Sequence, residues 1–91
     1  MVQKAFDVGG LPLVQLIECE NGRRDPFAVD SHAFGLCQIN DRYHKIPQEF
    51  WEDWYQIELC NEKMNTKFYL TRLVKGQYCK DYVMDRFTFV G

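Results

Sequence analysis

From Leu11 to Glu20 the apolar residues fall on one face of a helix. Leu13, Leu16 and Ile17 stand at i, i+3 and i+4, and position 20 takes the i+7 place. Pro12 suits a first turn, where no backbone donor is needed, and Asn21-Gly22 suits a C-terminal stop. Residues 21–33 are polar, carry the turn signal Asp25-Pro26 and read as loop. The apolar run from Ala33 to Ile39 predicts a short buried helix, and Asn40 to Ile46 a further loop. Pro47 opens a short helix carrying Phe50, Trp51 and Trp54, with both tryptophans expected in the core. The longest helix is predicted from about Ile57 to Val74, closed by Gly76, with Ile57, Cys60, Met64 and Phe68 as its inner stripe. Beyond it, Tyr78 to Met84 fits a helix, whereas Phe87-Thr88-Phe89 alternates like a strand. Residues 1–10, ending in Gly9-Gly10, read as a loose leader, so the expected layout is a leader and one mostly α domain over residues 11–91.

Glu20 breaks this pattern. It occupies the place on the inner face where a leucine would be expected. Partial desolvation there disfavours the charged form, and the helix C-terminus disfavours negative charge by roughly 0.3–1 kcal/mol. Both effects favour a protonated carboxyl, the state a general acid needs. The competing reading is a side chain that frays into water at a helix end. Glu18, about 200° around the helix from Glu20, is expected in solvent, as are Arg23 and Arg24.

Composition narrows the alternatives. The chain has 91 residues, 46% hydrophobic and 15% aromatic, which fits one small globular domain and argues against disorder throughout. A net charge of −2 without a basic run argues against nucleic acid as the main partner. No apolar stretch approaches the roughly 20 residues of a membrane span, and residues 1–7 do not read as a signal peptide. The four cysteines, Cys19, Cys37, Cys60 and Cys79, are separated by 18, 23 and 19 positions, which is not a zinc-site spacing. Two disulfides, in any of three connectivities, and four buried thiols are both open on this basis. Cys37 beside a histidine could serve as a nucleophile, but a small residue packed in the core is the simpler reading. His32 and His44 are too far apart to form a motif. Neither a Ser/His/Asp triad nor a phosphate loop is visible.

Three elements in order resemble the lysozyme-like lytic transglycosylases. Glu20-Asn21-Gly22 is similar to their helix-ending Glu-Ser-Gly, with Asn21 for serine. Asp25-Pro26-Phe27-Ala28-Val29 is similar to the following loop. Gly35-Leu36-Cys37-Gln38-Ile39-Asn40 resembles their Gly-Leu-Met-Gln-Ile core, with Cys37 for methionine. Asn61 through Phe68-Tyr69-Leu70 looks like a further family helix. Phe34 to Trp51 is also similar to goose-type lysozymes, through Arg42, His44, Lys45, Pro47 and Trp51.

The resemblance implies a small lysozyme-like fold that cleaves the β-1,4 bond between N-acetylmuramic acid and N-acetylglucosamine in peptidoglycan. Glu20 would be the general acid, with Ser31, Gln38, Asn40 and Tyr43 as substrate contacts. A transglycosylase uses one glutamate, whereas a hydrolase needs a second carboxylate. Asp30 is the main candidate for that second role, beside Asp25 and Asp41, and all three suit turn capping or loop solvation as well. Neither metal nor organic cofactor is implied. The expected setting is the periplasm, cell envelope, extracellular space or a phage particle, with a secretion apparatus or phage particle as partner. Two departures stand out. The families' Ala-Tyr-Asn-Ala-Gly element has no counterpart here, with Tyr78 and Tyr82 the only nearby tyrosines to replace it, and the chain is shorter than their catalytic domain. A wall-binding or assembly protein that kept the fold and lost catalysis is therefore the rival expectation.

Overall fold

The structure, a computed structural model, describes residues 2–42, 44–65 and 79. In chain order the elements are helix α1 (Val2–Glu20), strands β1 (Val29–Asp30), β2 (Ala33–Phe34) and β3 (Ile39–Asn40), a 3-10 turn (Gln48–Trp51) and helix α2 (Asp53–Met64). The described part is mostly α, with one small antiparallel sheet of order β1-β2-β3.

Helix α1 is two segments joined at Gly10, whose φ of 72° and ψ of −167° are not helical. Leu11-Pro12 follows, so Pro12 lies in the first turn of the second segment, where its missing N–H leaves no gap. The first segment departs from the expected leader. Residues 2–9 are helical and Ala5 is buried in the core. Gly9 is where the helices meet closely, since a Cβ there would lie 2.6 Å from Asn61 Oδ1 on α2.

The second segment buries Leu13, Leu16 and Ile17, the stripe read from spacing. They pack against Leu36, Cys37 and Ile39, Phe50, and the α2 residues Ile57, Cys60 and Met64. Burying each such large side chain contributes about 1.5–3 kcal/mol.

Residues 33–39 are not a helix. They form β2, a tight turn over 35–38, and the start of β3. Gly35 at φ 79° and Gln38 at φ 53° lie in the left-handed region, where no right-handed helix can continue. A Cβ on Gly35 would lie 2.8 Å from the Phe50 ring and against Gln56 Oε1. An apolar run this short has no period that tells helix from strand, and the backbone turn decides it.

Helix α2 starts earlier than expected, because Glu52 leaves helical geometry and Asp53 places a negative charge in the first turn. Trp54 consequently stands on α2 at 46% exposure rather than in the core. Trp51 is half-buried and packs on the core. The rest of the predicted long helix, the Asn61–Leu70 element beyond Asn65, Tyr78, Tyr82 and the tail lie outside the described residues.

All four cysteines are disulfide-bonded, Cys19 with Cys79 and Cys37 with Cys60. Cys37 is therefore neither a free thiol nor a nucleophile. It pins the hairpin turn to α2. Closing loops of 60 and 23 residues stabilises a fold by about 3–4 kcal/mol each. Among the described residues no helix is long and apolar enough to cross a membrane.

Candidate active site

Glu20 is the last residue of α1 and is half-buried. The helical period sets it beside Leu16 and Ile17. Arg23 and Arg24 are exposed, and the Arg24 guanidinium is drawn to Glu18. The helical period assigns Glu18 to solvent, but it is half-buried as Glu20 is, so burial does not set the two carboxylates apart.

Asn21 fixes the end of this helix. Its backbone N–H donates to Ile17 O at 2.8 Å, extending the helical ladder. Its side-chain Nδ2 donates to Asp25 O at 2.7 Å and to Gly35 O at 3.2 Å, and its Oδ1 accepts from Asp25 N at 3.3 Å. The residue after Glu20 thus ties α1, the following loop and the hairpin turn together. Gln56, fully buried on α2, completes the tie. Its Oε1 accepts from Leu36 N at 2.7 Å and its Nε2 donates to Pro26 O at 2.8 Å. Neither role was apparent from sequence, although Gln56 lies one turn before Cys60 and so falls on the inner stripe.

The strand register builds a second feature. Asp30 pairs with Ala33, and Ala33 with Asn40. Directly paired residues present their side chains on the same face of a sheet, so this row faces one way and the row Val29–Phe34–Ile39 the other. Asp30, Ala33 and Asn40, with Ser31, His32 and Arg42, line a groove of about 220 Å³. His32 Nδ1 lies 2.9 Å from Asp41 Oδ1, and Asp41 N donates to His32 O at 2.9 Å. Asn40 Oδ1 accepts from Arg42 N at 2.9 Å, which directs its amide nitrogen elsewhere. Ser31 holds φ at 60°, a conformation that costs a residue with a Cβ on the order of 1 kcal/mol.

The expected site residues therefore divide. Asp30, Ser31 and Asn40 come together in the groove. Gln38 is buried in the turn, where its Nε2 donates to Gly35 O at 2.8 Å, and it does not line the groove. Glu20 does not line it either. Tyr43 lies outside the described residues. Among the other aspartates, Asp25 caps its own turn by accepting from Phe27 N at 2.9 Å, and Asp41 partners His32.

At the far end of this segment the His44 pKa is lowered, first by burial and then by the Lys63 charge, with Glu62 acting in the opposite direction. Among the described residues no group of three or more His, Cys, Asp or Glu side chains could hold a metal ion. Family models, curated proteins and solved structures yield no match to this chain.

Proposed function

We propose that this domain cleaves peptidoglycan glycan strands between N-acetylmuramic acid and N-acetylglucosamine, with Glu20 as the general acid. The observation that carries the reading is the seating of Glu20. It is half-buried at the C-terminal end of α1, and its neighbour Asn21 is tied to Gly35 in the hairpin. The order of the chain's sequence motifs, which resembles that of the lytic transglycosylases, supports it further. As general acid, the Glu20 carboxyl would give a proton to the glycosidic oxygen, so that the leaving sugar departs as an alcohol.

Two outcomes are then open to the oxocarbenium-like sugar. In transglycosylation the glutamate, now a base, takes the proton of the sugar's own 6-hydroxyl, whose oxygen closes an anhydro ring on C1. In hydrolysis a second carboxylate acts as nucleophile or activates water, at a separation of about 5–9.5 Å from the acid. Asp30 is the groove carboxylate suited to that role. We favour transglycosylation, which needs no second carboxylate, because Asp25 and Asp41 are engaged in turn and imidazole contacts and Asp30 lines a groove that Glu20 does not. The two disulfides are compatible with the periplasm, cell envelope, extracellular space or a phage particle, and a secretion apparatus or phage particle is the proposed setting.

The test is digestion of purified peptidoglycan, with soluble products weighed by mass spectrometry. Anhydro-muropeptides from the wild type, reduced about 10²–10⁴-fold in Glu20→Gln, are expected. Products heavier by one water would move the mechanism to hydrolysis and to Asp30. Equal release by both proteins would remove Glu20 from the chemistry.

One observation favours a second reading. Glu20 is not part of the groove that gathers Asp30, Ser31 and Asn40, an arrangement suited to a protein that holds glycan without cutting it. Under that reading, neither protein releases product and Glu20→Gln binds peptidoglycan as the wild type does.

A further inference from the structure

The loop between α1 and β1 puts an aromatic ring into solvent and then holds it still. Phe27 is 65% exposed, yet its loop is tied at every step. Asp25 O accepts from Asn21 Nδ2 and Pro26 O from Gln56 Nε2, at 2.7 and 2.8 Å. Phe27 N donates to Asp25 Oδ1 at 2.9 Å, and Ala28 O accepts from Gly35 N at 2.8 Å. The phenyl ring lies 19° from parallel to the Trp51 indole, with centroids 6.1 Å apart. Trp51 is itself braced edge-on by Phe34 and Phe50. Phe27 thus lies near-parallel to a braced indole while most of its surface is open to water. Val29, also exposed, extends the apolar surface along β1.

We propose that Phe27 is a stacking platform for one pyranose ring of a glycan strand, a subsite outside the groove. The proposal rests on the glycan reading above. Size favours a sugar over a protein partner. Two exposed apolar side chains fall far short of the about 800 Å² per partner that a stable protein interface buries, whereas a phenyl face covers one sugar ring. Chemistry agrees, because the C–H groups on the apolar face of a β-linked hexopyranose meet the negative face of an aromatic ring. Position agrees too. Phe27 is separated from Asp30 by at most about 11 Å of extended chain, and Asp30 lines the groove, so a strand resting on one can reach the other. The fixed ring also lowers the ordering cost of binding.

The experiment is titration with a soluble β-1,4-linked N-acetylglucosamine oligomer, read by tryptophan fluorescence in a Trp54→Phe background. That background leaves Trp51, whose ring centroid is 6.1 Å from that of Phe27, as the reporter. The expected result is a change in Trp51 emission on binding, with affinity lowered about tenfold by Phe27→Ala and retained by Phe27→Tyr. Thermal melts of each variant exclude loss of fold. Saturation transfer from phenyl protons to one face of the sugar, measured on the wild type, tests the contact without any substitution at Phe27. A wild type that releases muropeptides while Phe27→Ala binds the oligomer as tightly overturns the platform and leaves the glycan reading standing. A wild type that neither binds the oligomer nor releases product from peptidoglycan overturns both.

Discussion

The Gly35 turn and the β1–β2 turn at Ser31 are neighbours on one sheet and are built on opposite principles. Each needs a left-handed residue, Gly35 at φ 79° and Ser31 at φ 60°. The Gly35 turn meets the need with Gly35 and with Gln38 at φ 53°, whose side chain is spent on Gly35 O; it is buried throughout and is also held by Asn21, Gln56 and the Cys37–Cys60 disulfide. The Ser31 turn meets it with a side chain that carries a hydroxyl, stays exposed, and is held through the adjacent His32 by Asp41. Left-handed residues whose side chains are absent or bonded inside the turn, against one whose hydroxyl is exposed, is the division expected of scaffold and site. A strained residue that keeps its side chain is a pointer to function.

The comparison breaks most easily at Gly35. Gly35→Ala adds a methyl against the Phe50 ring and the Gln56 carboxamide, and it forces an alanine into a left-handed conformation. We expect a loss of about 3–4 kcal/mol in denaturant unfolding, combining backbone strain with overpacking. A loss below about 1 kcal/mol would mean that the turn relaxes and is not the rigid member of the pair. Gln56→Leu comes next. It keeps the volume roughly constant but strands the Leu36 N–H and the Pro26 carbonyl, for an expected cost of about 2–4 kcal/mol. Hydrogen exchange adds the sharper test, because the Leu36 amide should lose protection while the amides of the α1 interior keep theirs. Uniform loss across the protein would show global loosening rather than a broken tie.

The sequence made the helical half of this scaffold legible and the hairpin half illegible, for physical reasons. Leu13, Leu16 and Ile17, and later Ile57, Cys60 and Met64, recur with a helical period, and each is buried. The period also assigned Glu20 to the inner and Glu18 to the outer side of α1, but the two are alike in being half-buried, so burial does not separate them. Strands of two residues leave no alternation to count, so Ala33 to Ile39 resembled a helix. Gly35 signals a left-handed turn, but Ser31 and Gln38 do so by position alone, which only the folded hydrogen bonds reveal. Cysteine spacing left the pairing open. The buried carboxamides of Asn21 and Gln56 are polar residues in apolar surroundings, recognisable only once their backbone partners are in place. The groove depends on strand register, which brings Asp30 and Asn40 together across Ala33.

Ser31→Gly probes the smallest effect and the one that separates the two turns most directly. Glycine removes the penalty of a Cβ at positive φ, about 1–2 kcal/mol, and returns part of it through the greater freedom of the unfolded chain. The fold should therefore be unchanged or stabilised by up to about 1 kcal/mol, the opposite sign to Gly35→Ala. The groove, however, loses a hydroxyl worth about 0.5–1.5 kcal/mol as a hydrogen-bonding group, or roughly two- to tenfold in affinity for a β-1,4-linked N-acetylglucosamine oligomer. A stability gain coupled to weaker glycan binding would identify Ser31 as a residue retained for its hydroxyl despite its backbone. Destabilisation of the fold would show instead that the hydroxyl supports the turn itself, and the contrast between the two turns would lose its functional meaning.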